Sequence, residues 1–126
     1  MNPHKREKIY ALPAKERYGY LIRTVADTEA IWVIRDGTQT VLLGAGADDE
    51  LIPVWPEEAF AQLHLTGEWA EYRAVEVPLD DFLAWLDELQ AEGVGISAFP
   101  KENLQGVVVE AQEMKAHLLH ELQQYE

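Results

Sequence analysis

Histidine and carboxylate side chains are the first residues in this chain that could support metal or acid–base chemistry. Of the four histidines, His117 and His120 lie three residues apart near the end of the sequence, one helical turn after Glu113. On a helix these three side chains share a face and could together ligate a divalent metal. No further ligand from another element can be identified. Two solvated histidines near a helix C-terminus are explained better without a metal, because the helix dipole stabilises their protonated form. We therefore predict no metal site and no cofactor.

Nucleophilic chemistry has even fewer residues available. The chain contains no cysteine and a single serine, Ser97. The stretch around it, 95–99 (GISAF), lacks the closing glycine that the sharp nucleophile turn of a hydrolase requires, so Ser97 is predicted on a strand. The acidic run 48–50 has consecutive carboxylates where a calcium loop needs alternating ligands, and the glycines at 44 and 46 lack the lysine of a phosphate loop. We predict no catalytic residue and favour a non-enzymatic role.

Aromatic side chains offer a binding site instead. Trp55, His64, Trp69 and Tyr72 fall within one short stretch of the chain, and we predict them as the candidate binding residues. Tryptophan and tyrosine combine a large apolar surface with one polar group, which suits them to hold a partner or a ligand. Core packing is the competing interpretation for the tryptophans, because each lies among apolar neighbours.

The charge of the chain limits its partners. The 126 residues carry a formal net charge of −13, and it is unevenly placed. Residues 1–23 hold six basic and two acidic side chains, whereas residues 24–126 hold four basic and twenty-one acidic ones. An acidic body repels nucleic acid and anionic membranes and attracts basic proteins. We therefore predict no nucleic-acid or membrane binding and a basic protein as partner; the basic start also allows a homodimer, in which it contacts the acidic face of a second copy.

The pattern of apolar residues predicts an α+β fold: a single compact domain with a mixed, mostly antiparallel sheet and about four helices packed on it. Residues 1–12 are predicted as a basic N-terminal segment that can fray, and residues 13–126 as the domain. No apolar run is long enough for a signal peptide or a membrane span, so we expect a cytoplasmic protein. The predicted helices are 13–28, 56–67, 78–92 and one from 110 onwards; the predicted strands are 30–35 and 38–43 around a turn at Asp36-Gly37, then 51–56, 74–77, 94–99 and 105–109.

Several short motifs resemble a known family. The most specific are Trp55-Pro56 and Gly67-Glu68-Trp69, and the others are 25–32 (VADTEAIW), 77–79 (VPL), 99–100 (FP) and 106–109 (GVVV). In these stretches the chain resembles the small bacterial family known as domain of unknown function 2750, over roughly residues 14–125. The resemblance implies a free-standing, single-domain, cytoplasmic bacterial protein, and it implies no activity or catalytic residue.

Two functions of different classes follow from these observations. The first is a non-enzymatic protein-interaction module that uses the aromatic residues between Trp55 and Trp69 beside an acidic surface, for example an inhibitor that occupies the basic site of a toxin or a DNA-binding protein. The alternative is a small-molecule-binding protein or small enzyme with a pocket lined by Trp55, His64, Trp69 and Tyr72. A deep pocket that brings His64 to a buried carboxylate would favour the alternative.

Overall fold

Two three-stranded β-sheets and a set of α-helices form the fold. The computed structural model describes residues 3–44, 50–101 and 106–125, so most of the acidic loop, including positions 48 and 49, lies outside the described residues. Short 3₁₀ turns at Gly67–Trp69 and Gln123–Tyr125 complete the described elements. The helices are α1 (Pro3–Tyr10), α2 (Ala14–Thr28), α3 (Glu58–Gln62), α4 (Leu79–Glu92) and α5 (Ala111–Leu122), and the strands are β1 (Ala30–Asp36), β2 (Gln39–Thr40), β3 (Leu51–Val54), β4 (Arg73–Pro78), β5 (Gly95–Ala98) and β6 (Val107–Val109).

The strand pairing is mixed and mostly antiparallel. One sheet has the order β2-β1-β4 with both pairs antiparallel, and the other has the order β3-β5-β6 with β3 parallel to β5. The two sheets meet where Trp32 and Trp55 exchange two backbone hydrogen bonds of 2.9 Å. The prediction of a single α+β domain is confirmed, with the difference that the one predicted sheet is two sheets joined by this bridge.

The first hairpin is shifted by one residue from its predicted position. Asp36 pairs with Gln39, so the two central turn residues are Gly37 and Thr38 rather than Asp36 and Gly37. Gly37 takes a φ of +64°, which a hairpin turn with glycine at its first central position requires. The second strand is also shorter than predicted: β2 ends at Thr40, and the chain continues to an isolated bridge between Leu43 and Leu51.

Helix α4 shows how the sequence pattern builds the core. Leu79, Phe82, Leu86 and Leu89 are buried along one face, and Gly93 ends the helix with a φ of +78°. Each such side chain stabilises the fold by about 1.5–3 kcal/mol when it leaves water completely. Helix α5 packs against both α2 and α4 and contributes a buried stripe of its own, which consists of Ala111, Met114 and Leu118.

The N-terminal basic residues lie on α1, a helix that the apolar pattern did not predict. Ile9 is buried in the core, and Tyr10 and Leu12 pack against it. The basic side chains Lys5 and Lys8 are exposed. Among the helices of residues 3–44, 50–101 and 106–125, none combines the length and the apolar character that crossing a membrane requires.

Candidate functional site

A half-open pocket of about 700 Å³ lies beside the segment that carries the predicted aromatic residues. It brings together two of the four candidate binding residues, His64 and Trp69, and leaves out Trp55 and Tyr72. We call it the His64 pocket. The described residues that line it are Leu42, Leu43, Gly44, Leu63, His64, Thr66, Glu68 and Trp69.

Two chain segments build the walls of the His64 pocket. On one side, the chain leaves α3 through tight turns, in which the His64 amide donates to the Ala61 carbonyl at 3.0 Å and the Trp69 amide donates to the Thr66 carbonyl at 3.0 Å. Gly67 allows this sharp path because its φ is +58°. On the other side, the chain after β2 is held in place by the Leu43–Leu51 bridge.

His64 is held at the inner wall of the pocket. Its side chain is only 6% exposed, and its ring lies 4.8 Å from the ring of Trp55. A hydrogen bond of 3.3 Å joins His64 Nε2 to the hydroxyl of Tyr10. These contacts hold the imidazole ring in place as part of the pocket wall.

Trp55 and Tyr72 are placed differently from the prediction that both line a pocket with His64. Trp55 is completely buried, and its Nε1 donates to the Pro100 carbonyl at 3.2 Å. It supports His64 from the core side instead of facing the pocket. Tyr72 is half-buried, and its backbone amide donates to the Trp69 carbonyl at 3.0 Å.

Tyr10, Phe60 and Phe99 form an aromatic cluster that no sequence pattern predicted. The ring centroids of Phe60 and Phe99 are 4.8 Å apart, and Tyr10 lies 6.2 Å from Phe60 and 6.3 Å from Phe99. Phe99 has a φ of +50°, a conformation that side chains other than glycine rarely adopt. No sequence pattern predicts this conformation, because phenylalanine before proline normally indicates extended backbone.

A buried arginine holds this unusual backbone. Arg17 is 4% exposed, and its Nε donates to the Phe99 carbonyl at 3.2 Å while its Nη1 donates to the Leu12 carbonyl at 2.6 Å. Burial lowers the pKa of the guanidinium, and the nearby Tyr10 opposes this change. A sequence signal existed: Arg17 lies one turn before Leu21 and two turns before Val25, on the apolar face of α2.

The remaining candidates for chemistry lie elsewhere. Ser97 is 2% exposed on β5, on a strand as predicted and away from the His64 pocket. A hydrogen bond of 2.6 Å joins His117 Nδ1 to the hydroxyl of Tyr18, and burial, together with the charge of Glu113, raises the pKa of Tyr18. His120 is exposed on α5. Within the described residues, no three histidine, aspartate or glutamate side chains are grouped so that they could hold a metal ion.

The His64 pocket can hold an apolar group next to a charged one. Leu42 and Leu63 at its mouth are 49% and 39% exposed, and the half-buried ring of Trp69 adds a flat aromatic surface. Glu68 is exposed and places a carboxylate in the same pocket. The arrangement therefore suits a side chain or ligand that has an apolar body and a basic or hydrogen-bonding end.

Comparison with known proteins supports the family resemblance. Residues 18–118 match the family model described as protein of unknown function (DUF2750), so the chain belongs to that family. Among curated proteins and among solved structures, nothing matches the chain.

Proposed function

We propose that this DUF2750 protein is a non-enzymatic protein-interaction module whose His64 pocket receives an apolar side chain of a basic partner protein. The observation that carries the proposal is the grouping of apolar surface at one pocket mouth. Leu42 and Leu63 are two of the four large hydrophobic side chains exposed in the described residues, and both line this pocket. Single exposed leucines are common on protein surfaces, but two of them beside a tryptophan in one pocket support a role in interaction.

The charge of the body supports a basic partner. Residues 24–126 hold twenty-one acidic side chains against four basic ones, and Glu68 brings one of them to the pocket itself. A field of one sign attracts partners of the opposite sign and raises the rate of association, and salt weakens this effect. We therefore expect apolar contacts to determine the lifetime of the complex, and salt concentration to determine the rate of association.

The surroundings of His64 support binding more than catalysis. The contacts described for its ring are a tryptophan face and a tyrosine hydroxyl, which fix its position. A general base would need direct access to substrate. At 6% exposure the imidazole serves better as a wall of the pocket.

A partner search followed by a binding measurement tests the proposal. The tagged protein is used to retain partners from a bacterial lysate at low and at high salt, and a partner lost at high salt is then purified. Replacing Trp69 with alanine is expected to weaken its binding by about thirtyfold, since aromatic anchors contribute about 2 kcal/mol or more. The matched control is Leu119→Ala, because Leu119 is 43% exposed on α5 and outside the pocket. Equal binding by the Trp69 variant, or binding that ignores salt, would contradict the proposal.

A small-molecule ligand in the same pocket is the second candidate. The pocket volume of about 700 Å³ is within the range of about 300–1,000 Å³ that is usual for ligand sites. Native mass spectrometry of the gently purified protein tests this candidate. A bound mass that the Trp69→Ala variant loses and the Leu119→Ala variant keeps would favour it over the protein-interaction module.

A further inference from the structure

The strand β6 forms an open edge of the second sheet. It is the outermost strand of the order β3-β5-β6, and among the described strands it pairs with β5 alone. Within residues 3–44, 50–101 and 106–125, its backbone makes no hydrogen bond except those to β5. Val108 is 67% exposed, the highest value among the large hydrophobic side chains exposed in those residues. An edge of three valines with no charge or proline can pair with another strand, because valine favours extended backbone and no other described strand pairs with its outer side.

An acidic cleft adjoins this edge. It has a volume of about 590 Å³, and both Val108 and Val109 line it together with Leu51 from β3. Three carboxylates line it as well, those of Glu50, Glu110 and Glu113, and no lysine, arginine or histidine among the described residues does. We call it the β6 cleft. None of the three carboxylates forms an ion pair with another described residue.

The cleft therefore combines apolar lining residues with negative charge that no described basic side chain neutralises through an ion pair. The first turn of α5 explains the position of Glu113, since a carboxylate there is stabilised by the helix dipole. It does not explain Glu50, which precedes β3 and lines the same cleft. A long basic side chain fits both features, because its alkyl stem covers apolar surface while its charged end reaches the carboxylates.

We propose that β6 and the β6 cleft bind an extended segment of a basic protein, which pairs with Val107–Val109 as an added strand and places a lysine or arginine side chain in the cleft. This mode of recognition obtains affinity from main-chain hydrogen bonds and specificity from side-chain pockets. Among the described residues, none lines both the β6 cleft and the His64 pocket.

Charge decides between this occupant and a second copy of the chain. Pairing of β6 with β6 in a symmetric dimer would bring two sets of the same three carboxylates to one interface, and like charges that close repel. The basic segment of a second copy is also unsuitable, since α1 is helical and Ile9 anchors it in its own core. A basic strand from another protein satisfies both the edge and the cleft.

Nuclear magnetic resonance titration of the isotope-labelled full chain tests the proposal. The probe is a synthetic peptide that alternates lysine with valine and threonine, and the matched control replaces each lysine with glutamate. We expect saturable shifts at Val107–Val109 and at Glu110 and Glu113 with the lysine peptide, and binding at least about tenfold weaker with the glutamate peptide. Methylation of the central backbone nitrogens of the lysine peptide is expected to weaken binding at least about fivefold, because each lost hydrogen bond contributes about 1 kcal/mol.

Variants of the protein complete the test. Val108→Lys is expected to weaken peptide binding at least about fivefold by adding a positive charge at the edge, whereas Leu119→Lys makes the same change on α5 and leaves binding unchanged. If Val108→Lys does not fold, the double variant Glu110→Gln and Glu113→Gln replaces it, with the same expected direction. The absence of saturable shifts at millimolar peptide, equal binding of the two peptides, or equal binding by the methylated peptide overturns the proposal. Loss of peptide binding in Trp69→Ala also overturns it, since that result assigns the peptide to the His64 pocket.

Discussion

Replacing Arg17 with methionine should lower the free energy of unfolding by about 3 kcal/mol. Arg17 donates to two backbone carbonyls, those of Phe99 and Leu12, from a position that is 4% exposed. Hydrogen bonds from a charged donor contribute about 1.5–3 kcal/mol each, so the loss of two amounts to about 3–6 kcal/mol. Methionine fills a similar volume and removes the cost of burying a charge, which reduces the net loss to the lower end of that range.

A lysine at position 17 separates the contribution of the positive charge from that of the arrangement of hydrogen-bond donors. Arg17→Lys keeps the positive charge but has a single ammonium group. That group cannot reach both carbonyls as the guanidinium does. We therefore expect it to lose about half as much stability, about 1.5 kcal/mol. Arg23→Met makes the same change at an exposed position of α2 and is expected to stay within about 0.5 kcal/mol of the unmodified protein.

Urea denaturation followed by tryptophan fluorescence measures these differences. With a slope of about 2 kcal/mol per molar urea, the midpoint of Arg17→Met should fall by about 1.5 M, and that of Arg23→Met by less than about 0.3 M. The reasoning is refuted if Arg17→Met unfolds at the same urea concentration as the unmodified protein. It is also refuted if Arg17→Lys is the less stable of the two variants, because the carbonyl contacts would then not be the cause.

Two further predictions concern pH and backbone conformation. Tyr20 donates a hydrogen bond to Glu57, and burial, together with that bond and the charge of Glu57, raises the pKa of Tyr20 to about 12. The pKa of tyrosine in the unfolded chain is about 10, so the contribution of this raised pKa to stability is present below pH 10 and is lost as the pH rises towards 12. In denaturation curves, Tyr20→Phe should therefore make the stability less dependent on pH over that range. Gly67→Ala should destabilise the fold by about 1 kcal/mol because φ is +58° there, whereas Gly19→Ala, inside α2 and near only the flexible end of Arg23, should stabilise it by up to about 1 kcal/mol. Thermal unfolding of both glycine variants checks the opposite signs.

Local patterns in the sequence predicted the long elements well. In α4, the spacing of Phe82, Leu86 and Leu89 and the glycine at position 93 define both the buried face and the end of the helix. Helix α1 could not be found in this way, because Ile9 is its one buried hydrophobic residue and a period cannot be measured from one position. The parallel pairing of β3 with β5 depends on how distant segments meet, which no local pattern contains.

Two of the four candidate binding residues line one pocket and two do not, for a physical reason. His64 and Trp69 line the same pocket, but Trp55 faces the core, since residue type alone does not tell which side of a strand end a side chain takes. The positive φ of Phe99 is even less accessible to prediction. It is stabilised by Arg17 and the surrounding aromatic rings, all distant in sequence, and such conformations persist only where the neighbouring structure holds them.

The backbone bridge between Trp32 and Trp55 links the His64 pocket to the junction between the two sheets. Its two hydrogen bonds join the sheets, and the indole of the same Trp55 supports the ring of His64. Any opening of the seam between the sheets must therefore disturb the inner wall of the pocket, so the two events are thermodynamically linked. A molecule that binds the closed pocket and not the opened one will slow amide hydrogen exchange at Trp32 and Trp55. The exchange rate falls by a factor equal to one plus the ratio of the free ligand concentration to its Kd. The protein thus contains its own reporter of occupancy, at two amides that no bound molecule needs to touch.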